Sequence, residues 1–214
     1  MVIAIDGPAG AGKSTVARAL AERLGFTYLD SGAMYRCVAF AALREGVDLG
    51  DGEALGKLAR RVDISVAGGS AILDGEDVTA GIRTPQVSAA ASVVSVHPRV
   101  REAMVERQRA LINSGDYVAE GRDIGTVVSP GAPLKVFLTA NDAERARRRA
   151  AETGEPLADV LGAQAARDAR DRDRDHGALR PADDAIEVDT TGMAVDDVVE
   201  RVVGLARERG LAAG

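Results

Sequence analysis

Gly7-Pro8-Ala9-Gly10-Ala11-Gly12-Lys13-Ser14 lies between the apolar, β-branched run Val2-Ile3-Ala4-Ile5-Asp6 and a stretch in which Val16, Leu20 and Leu24 recur at four-residue intervals. The run predicts a buried strand and the spacing predicts a helix with one apolar stripe. The glycine-rich turn between them fits G-x-x-x-x-G-K-[ST], and strand, turn and helix are the context that gives the pattern its meaning. Gly7, Pro8, Ala9, Gly10, Ala11 and Gly12 let backbone N–H groups converge on phosphate oxygens, and the helix adds its positive end. Lys13 is expected to reach the β- and γ-phosphates of a nucleoside triphosphate, Ser14 to ligand Mg²⁺, and Thr15 to stand beside them.

Outward from this loop the strand and helix rhythm continues. Gly25 stops the first helix, FTYLD (26–30) reads as a second strand and Ala33 to Arg44 as a helix. YVAEG, LKVFLTA and AIEVD supply three more strands, the last two leading into helices at Asn141–Glu152 and Asp196–Arg209. Five parallel strands with crossover helices predict a three-layer α/β fold of the P-loop NTPase type. Residues 63–83 break the rhythm by alternating apolar with polar residues around Gly68-Gly69 and Asp74-Gly75, which predicts a small antiparallel insert. Residues 154–184 hold few large apolar side chains and the run RDARDRDRDHG, and are expected to be mobile and solvated.

The 214 residues suit one domain, and 46% apolar with 28% charged residues supports a sizeable core. A single cysteine, Cys37, and two histidines, His97 and His176, exclude an internal disulfide and a structural zinc cluster. The absence of a long apolar run and of a basic leader in MVIAIDG leads to an expectation of a cytoplasmic protein with no membrane partner. A net charge of -6 argues against nucleic acid as the main partner, although only three of the 27 basic residues are lysines.

Function then turns on the second pocket. A GTPase switch lacks its guanine-reading Asn-Lys-x-Asp, since Asn113 and Asn141 precede Ser and Asp. A mechanical ATPase needs a larger domain, whereas a small-molecule kinase needs only an acceptor site and a cover against water. Asp30 or Ser31 can cap the helix that follows the second strand, and Arg36 inside that helix suggests an anion. In Glu120-Gly121-Arg122-Asp123, Arg122 can fork onto a phosphate, Asp123 can accept from a base or sugar, and either acid can hold the metal's water shell. Arg167, Arg170 and Arg174 share a helical stripe with Asp171, as a closing lid would require. Arg145 and Arg149 can frame the triphosphate, while Arg147 and Arg148 read as exposed. Unaided, Ser92 reads as a buried helical serine and Arg101 as a helix-surface charge.

GPAGAGKST, LDSGAMYR, IRTPQVSAAAS, HPRVREAMVERQRAL, EGRDIGTVV and RDARDRDRD, in that order and nearly end to end, resemble the bacterial cytidylate kinases, which are nucleoside monophosphate kinases. The resemblance implies one domain over 1–214, with an acceptor-binding insert at about 62–84 and a helical lid at about 154–181. It assigns cytosine contacts to Ser92, Arg101 and Asp123, and sugar contacts to Arg167 and Asp171. It places Arg36, Arg122 and Arg174 on the monophosphate, with Ser31 nearby. The implied reaction transfers phosphate from ATP to CMP or dCMP in a monomer with Mg²⁺, and Lys13, Arg122, Arg149, Arg170 and Arg174 stabilise the charge. The alternatives are a kinase for another acceptor, such as a different nucleotide, a sugar or shikimate, and a non-catalytic nucleotide-binding regulator.

Overall fold

The computed structural model describes residues 1–173 and 177–211. Arg174, assigned to the acceptor phosphate, lies outside the described residues. In chain order the elements are β1 (Val2–Asp6), α1 (Lys13–Leu24), β2 (Thr27–Asp30), α2 (Ser31–Glu45), α3 (Gly52–Arg61), β3 (Ile64–Ala67), β4 (Ser70–Leu73), β5 (Glu76–Asp77), α4 (Pro85–Val94), α5 (Pro98–Ile112), β6 (Tyr117–Gly121), β7 (Leu134–Thr139), α6 (Asp142–Thr153), α7 (Leu157–Arg172), β8 (Ile186–Asp189) and α8 (Val195–Glu208).

β1 is buried along its whole length. Because side chains alternate along a strand, Ile3 and Ile5 enter one core with Leu20 and Val202. Val2 and Ala4 enter another with Leu29, Met34 and Val38. The first core lies under α1 and α8, the second under α2 to α5, so helices cover both faces of the sheet. A strand covered twice can be apolar throughout, which explains the continuous runs of the sequence. The five parallel strands are ordered β2-β6-β1-β7-β8. The carboxyl ends of β1, β2 and β6 therefore open side by side at one edge.

Helix ends follow local chemistry. Gly25, at φ 68°, returns its N–H to the Ala21 and Glu22 carbonyls and ends α1. Asp30 caps α2 through Ala33 N–H at 2.8 Å, which leaves Ser31 to donate to the Glu120 carbonyl at 2.6 Å. The insert forms the three-stranded antiparallel sheet β3-β4-β5. Its turns have positive φ at both central residues, 58° and 88° at Gly68-Gly69 and 50° and 84° at Asp74-Gly75, as two-residue hairpins demand.

Two features depart from expectation. After β6 the chain forms a widened helical turn over Ile124–Val128, in which the Asp123 carbonyl accepts from Val127 and Val128. Residues 157–172, expected to be solvated, form α7 with a buried stripe of Val160, Gln164, Asp168 and Asp171. That stripe is mostly polar, so apolar periodicity does not register it.

Candidate active site

The phosphate loop joins β1 to α1 as expected. A Cβ at Gly7 would collide with the Leu138 carbonyl of β7, and Gly12 starts α1 from φ 86°. Lys13 is buried, and its Nζ donates to the Pro8 carbonyl at 2.8 Å. Burial pushes its ammonium down to about 7, with Arg122 adding to the effect and Glu120 opposing it.

Arg145 needs correction. It is buried, and its guanidinium is spent on protein: Ala9 carbonyl at 2.9 Å, Ala140 carbonyl at 3.1 Å, Asp142 at 2.6 Å and Asp168 at 2.7 Å. It supports the loop instead of framing the triphosphate. Gln164 of α7 reaches the same Ala9 carbonyl at 3.3 Å. Arg148, expected to be exposed, is clamped to Glu144 at 2.9 Å and to Thr190 at 2.7 and 3.0 Å.

Beyond Lys13 a crevice of about 220 Å³ gathers Arg36, Arg122, Arg149 and Arg167, with Ser31 and Asp171 on its wall. Arg36 pairs with Asp30 at 2.8 Å, Arg122 with Asp171 at 2.8 Å, and Arg149 with Glu152 at 3.3 Å. These acids leave donors over, because the Nε atoms of Arg36 and Arg167 are buried without a partner among the described residues. Burial pushes Arg167 down to about 9, with Arg122, Arg36 and Arg149 contributing and Asp171 opposing. A bound polyanion would relieve both the missing hydrogen bonds and the mutual repulsion.

Arg170 also departs from expectation, being exposed with its Nε turned back to the Ala166 carbonyl at 3.3 Å. The inward stripe of α7 runs through Gln164, Arg167 and Asp171, and at 3.6 residues per turn Arg170 lies roughly 100° round from its centre.

At the far end Arg101 is 4% exposed rather than a surface charge, and it pairs with Asp123. The Tyr35 ring lies 5.9 Å from its guanidinium carbon. Ser92 stands behind the neighbouring lining residues Ala91 and Ser95, its hydroxyl buried and without a partner among the described residues. Ala9, Gly10, Gly12, Ser14 and Thr15 line the crevice, while Gly7, Pro8 and Ala11 do not reach its wall.

Among the described residues no cluster of three His, Cys, Asp or Glu side chains could cage a metal. Glu120, buried, accepts from Tyr28 and lies in hydrogen-bonding contact with Ser14. Burial and then Asp30 raise its pKa. The all-oxygen donors Ser14 and Glu120 suit a hard, largely hydrated cation held mainly by phosphates. Asp123, the other acid expected at the metal's water shell, has its carboxylate paired with Arg101. Sequence reasoning also missed Tyr28, Gln164 and Asp168; the last two carried a signal in their four-residue spacing on the face of Asp171.

The cytidylate kinase family model matches residues 3–208. A cytidylate kinase of Pseudomonas aeruginosa (strain LESB58) is 50% identical, with 98% of this chain and 96% of that protein covered. One from Azotobacter vinelandii is 49% identical, covering 99% and 97%. In fold the chain resembles an uncharacterized protein from Eubacterium ventriosum, with TM-score 0.56, 13% identity and coverage of 97% and 98%.

Proposed function

The chain belongs to the cytidylate kinase family, and on that footing we propose that it transfers the γ-phosphoryl group of ATP to the phosphate of CMP or dCMP, giving ADP and CDP or dCDP. The observation that carries this reading is the crevice beside Lys13, where Arg36, Arg122, Arg149 and Arg167 converge with buried donors unspent. A neutral sugar hydroxyl would not require a second guanidinium cluster, and the single carboxylate of shikimate would occupy one or two guanidinium forks; a phosphate dianion uses more of them.

ATP enters with its β- and γ-phosphates on the loop amides and Lys13, whose ammonium regains full charge against phosphate oxygens. Arg36, Arg122 and Arg167 hold the acceptor phosphate in line with the γ-phosphorus, and Arg149 faces the transferring group. No protein base is needed, because the attacking oxygen is already anionic. Catalysis is positioning plus charge stabilisation. Arg101, Asp123 and the free hydroxyl of Ser92 offer donors and acceptors for a cytosine edge, and Arg167 with Asp171 for the sugar. Ser14 and Glu120 would hold Mg²⁺, which when bound neutralises charge on the phosphates. α7 serves as the lid, its inner stripe excluding water from the transfer.

The net charge of -6 fits small anionic substrates better than nucleic acid. No helix of the described residues is long and apolar enough to cross a membrane. A cytoplasmic location and a monomeric state belong to the same proposal. The test is an acceptor screen with ATP and CMP, dCMP, UMP, AMP or shikimate. Turnover highest with CMP and dCMP supports the reading; preference for shikimate or AMP, or ATP binding without acceptor-dependent ADP release, would overturn it.

A further inference from the structure

Asp6 ends β1 immediately before Gly7 of the phosphate loop, and it is 6% exposed. Both carboxylate oxygens are spent on backbone: Oδ1 accepts from Ile124 N–H at 2.8 Å and Oδ2 from Gly125 N–H at 2.7 Å. Those two amides open the widened turn that directly follows Arg122 and Asp123. The sheet cannot hold this segment, because the register of β1 with β6 ends at the pair Asp6 and Gly121. From that point the side chain of Asp6 continues what the strand backbone began.

Few side chains could do this. A carboxylate presents two acceptors to two neighbouring N–H groups, whereas an asparagine of the same size must turn an NH₂ towards one of them. The seat is also tight. A Cβ at Gly125 would touch Asp6 Oδ2 at 3.4 Å and press on the Lys135 side chain at 3.1 Å, so glycine leaves the turn room at this approach. Burying a carboxylate works against its charge and pushes Asp6 up to about 6; the two amides and Lys13 act the other way, and Asp123 adds to the rise. An apolar residue would avoid that cost while leaving both amides unsatisfied.

We propose that Asp6 is a positioning residue, whose two hydrogen bonds fix the segment bearing Arg122 and Asp123 relative to the phosphate loop and so set the distance between acceptor and donor. This rests on the acceptor site assigned under Proposed function. Asp6 itself touches neither nucleotide.

Asp6→Asn and Asp6→Glu, assayed with both substrates varied, test the role. Losing one hydrogen bond to a charged group and shifting the turn should raise KM for CMP by about tenfold or more, while KM for ATP stays within about twofold. Asp6→Glu keeps a charge near Lys13 but, one methylene longer, cannot seat both oxygens, so it should behave like Asp6→Asn. In the parent protein without nucleotide, the Ile124 and Gly125 amides should exchange slowly with solvent. Three results would overturn the role: CMP kinetics restored by Asp6→Glu, which would make charge rather than geometry the cause; losses equal for both substrates that track Tm; or fast exchange at the two amides. If neither variant folds, fast exchange at the two amides of the parent still overturns the role. A parent inactive towards CMP would refute the acceptor assignment, and slow or fast exchange at the two amides would then still show whether Asp6 holds the turn.

Discussion

Lys13 has one backbone carbonyl for a partner, and Arg122 and Arg167 work against its charge. A lysine whose folded pKa lies below 10.5 costs stability. That cost is full below about pH 7 and fades as pH rises towards 10.5, because the folded state then releases a proton the unfolded chain keeps. Lys13→Met should therefore abolish transfer yet raise the Tm of the nucleotide-free protein by roughly a few degrees near neutrality. Calorimetry should show the gain shrinking towards about pH 10; near-normal turnover, or a gain that grows with pH, would contradict the account. Arg167, pushed down to about 9, follows the same logic. Arg167→Leu should lower kcat/KM for CMP by about a hundredfold, as expected for a charged contact of roughly 3 kcal/mol, and should also raise Tm; a drop in Tm would show that the guanidinium is structural. The phosphate loop and the acid and arginine pair at 122–123 were legible as residues, because their types and spacing state their chemistry. Arg145, Arg148 and Arg149 were not separable within ERARRR, since what divides them is whether the carbonyls of Ala9 and Thr190 or an open crevice lie beneath each one.

At the scale of elements, α7 depends on a polar seam: Asp168 pairs with Arg145 at 2.7 Å, and Gln164 shares the Ala9 carbonyl with that arginine. Removing one partner of such a buried pair costs about 3–5 kcal/mol where nothing can move, but a helix seated on polar contacts can leave for water instead. Asp168→Asn should therefore loosen α7 more than it lowers Tm. ADP release without CMP should rise several-fold relative to release with CMP, and α7 should become the first site of limited proteolysis; an unchanged ratio would remove the helix from its role as a cover. The insert was readable because Gly68-Gly69 and Asp74-Gly75 meet a strict backbone demand. A helical lid was expected at α7 from the arginine stripe and the resemblance, but its buried seam was not, because reading by apolar periodicity treats a polar stripe as a solvated face, although four-residue spacing of Val160, Gln164 and Asp168 was present.

For the whole molecule, five strands were visible because each buried run is apolar and short, but their order was not. The pairing of β1 with β6 joins segments more than a hundred residues apart, and it is this pairing that brings Arg122 beside Lys13. Net charge is equally blind to such convergence: a chain of charge -6 gathers five arginines, Arg101 among them, at one crevice. The folded protein thus has stability in reserve that an anion releases by satisfying those donors, while the unfolded chain offers no such site. Inorganic phosphate at about a hundred times its dissociation constant should add about 2.7 kcal/mol, or roughly 5–10 °C in Tm for a protein of this size. Sodium chloride at matched ionic strength should do much less, because screening does not supply oriented acceptors. Arg167→Leu, already more stable without an anion, should gain less from phosphate than the parent. If parent and variant gained equally, the anion would be binding elsewhere, and the convergence of arginines would no longer account for how an acidic protein holds two polyanions.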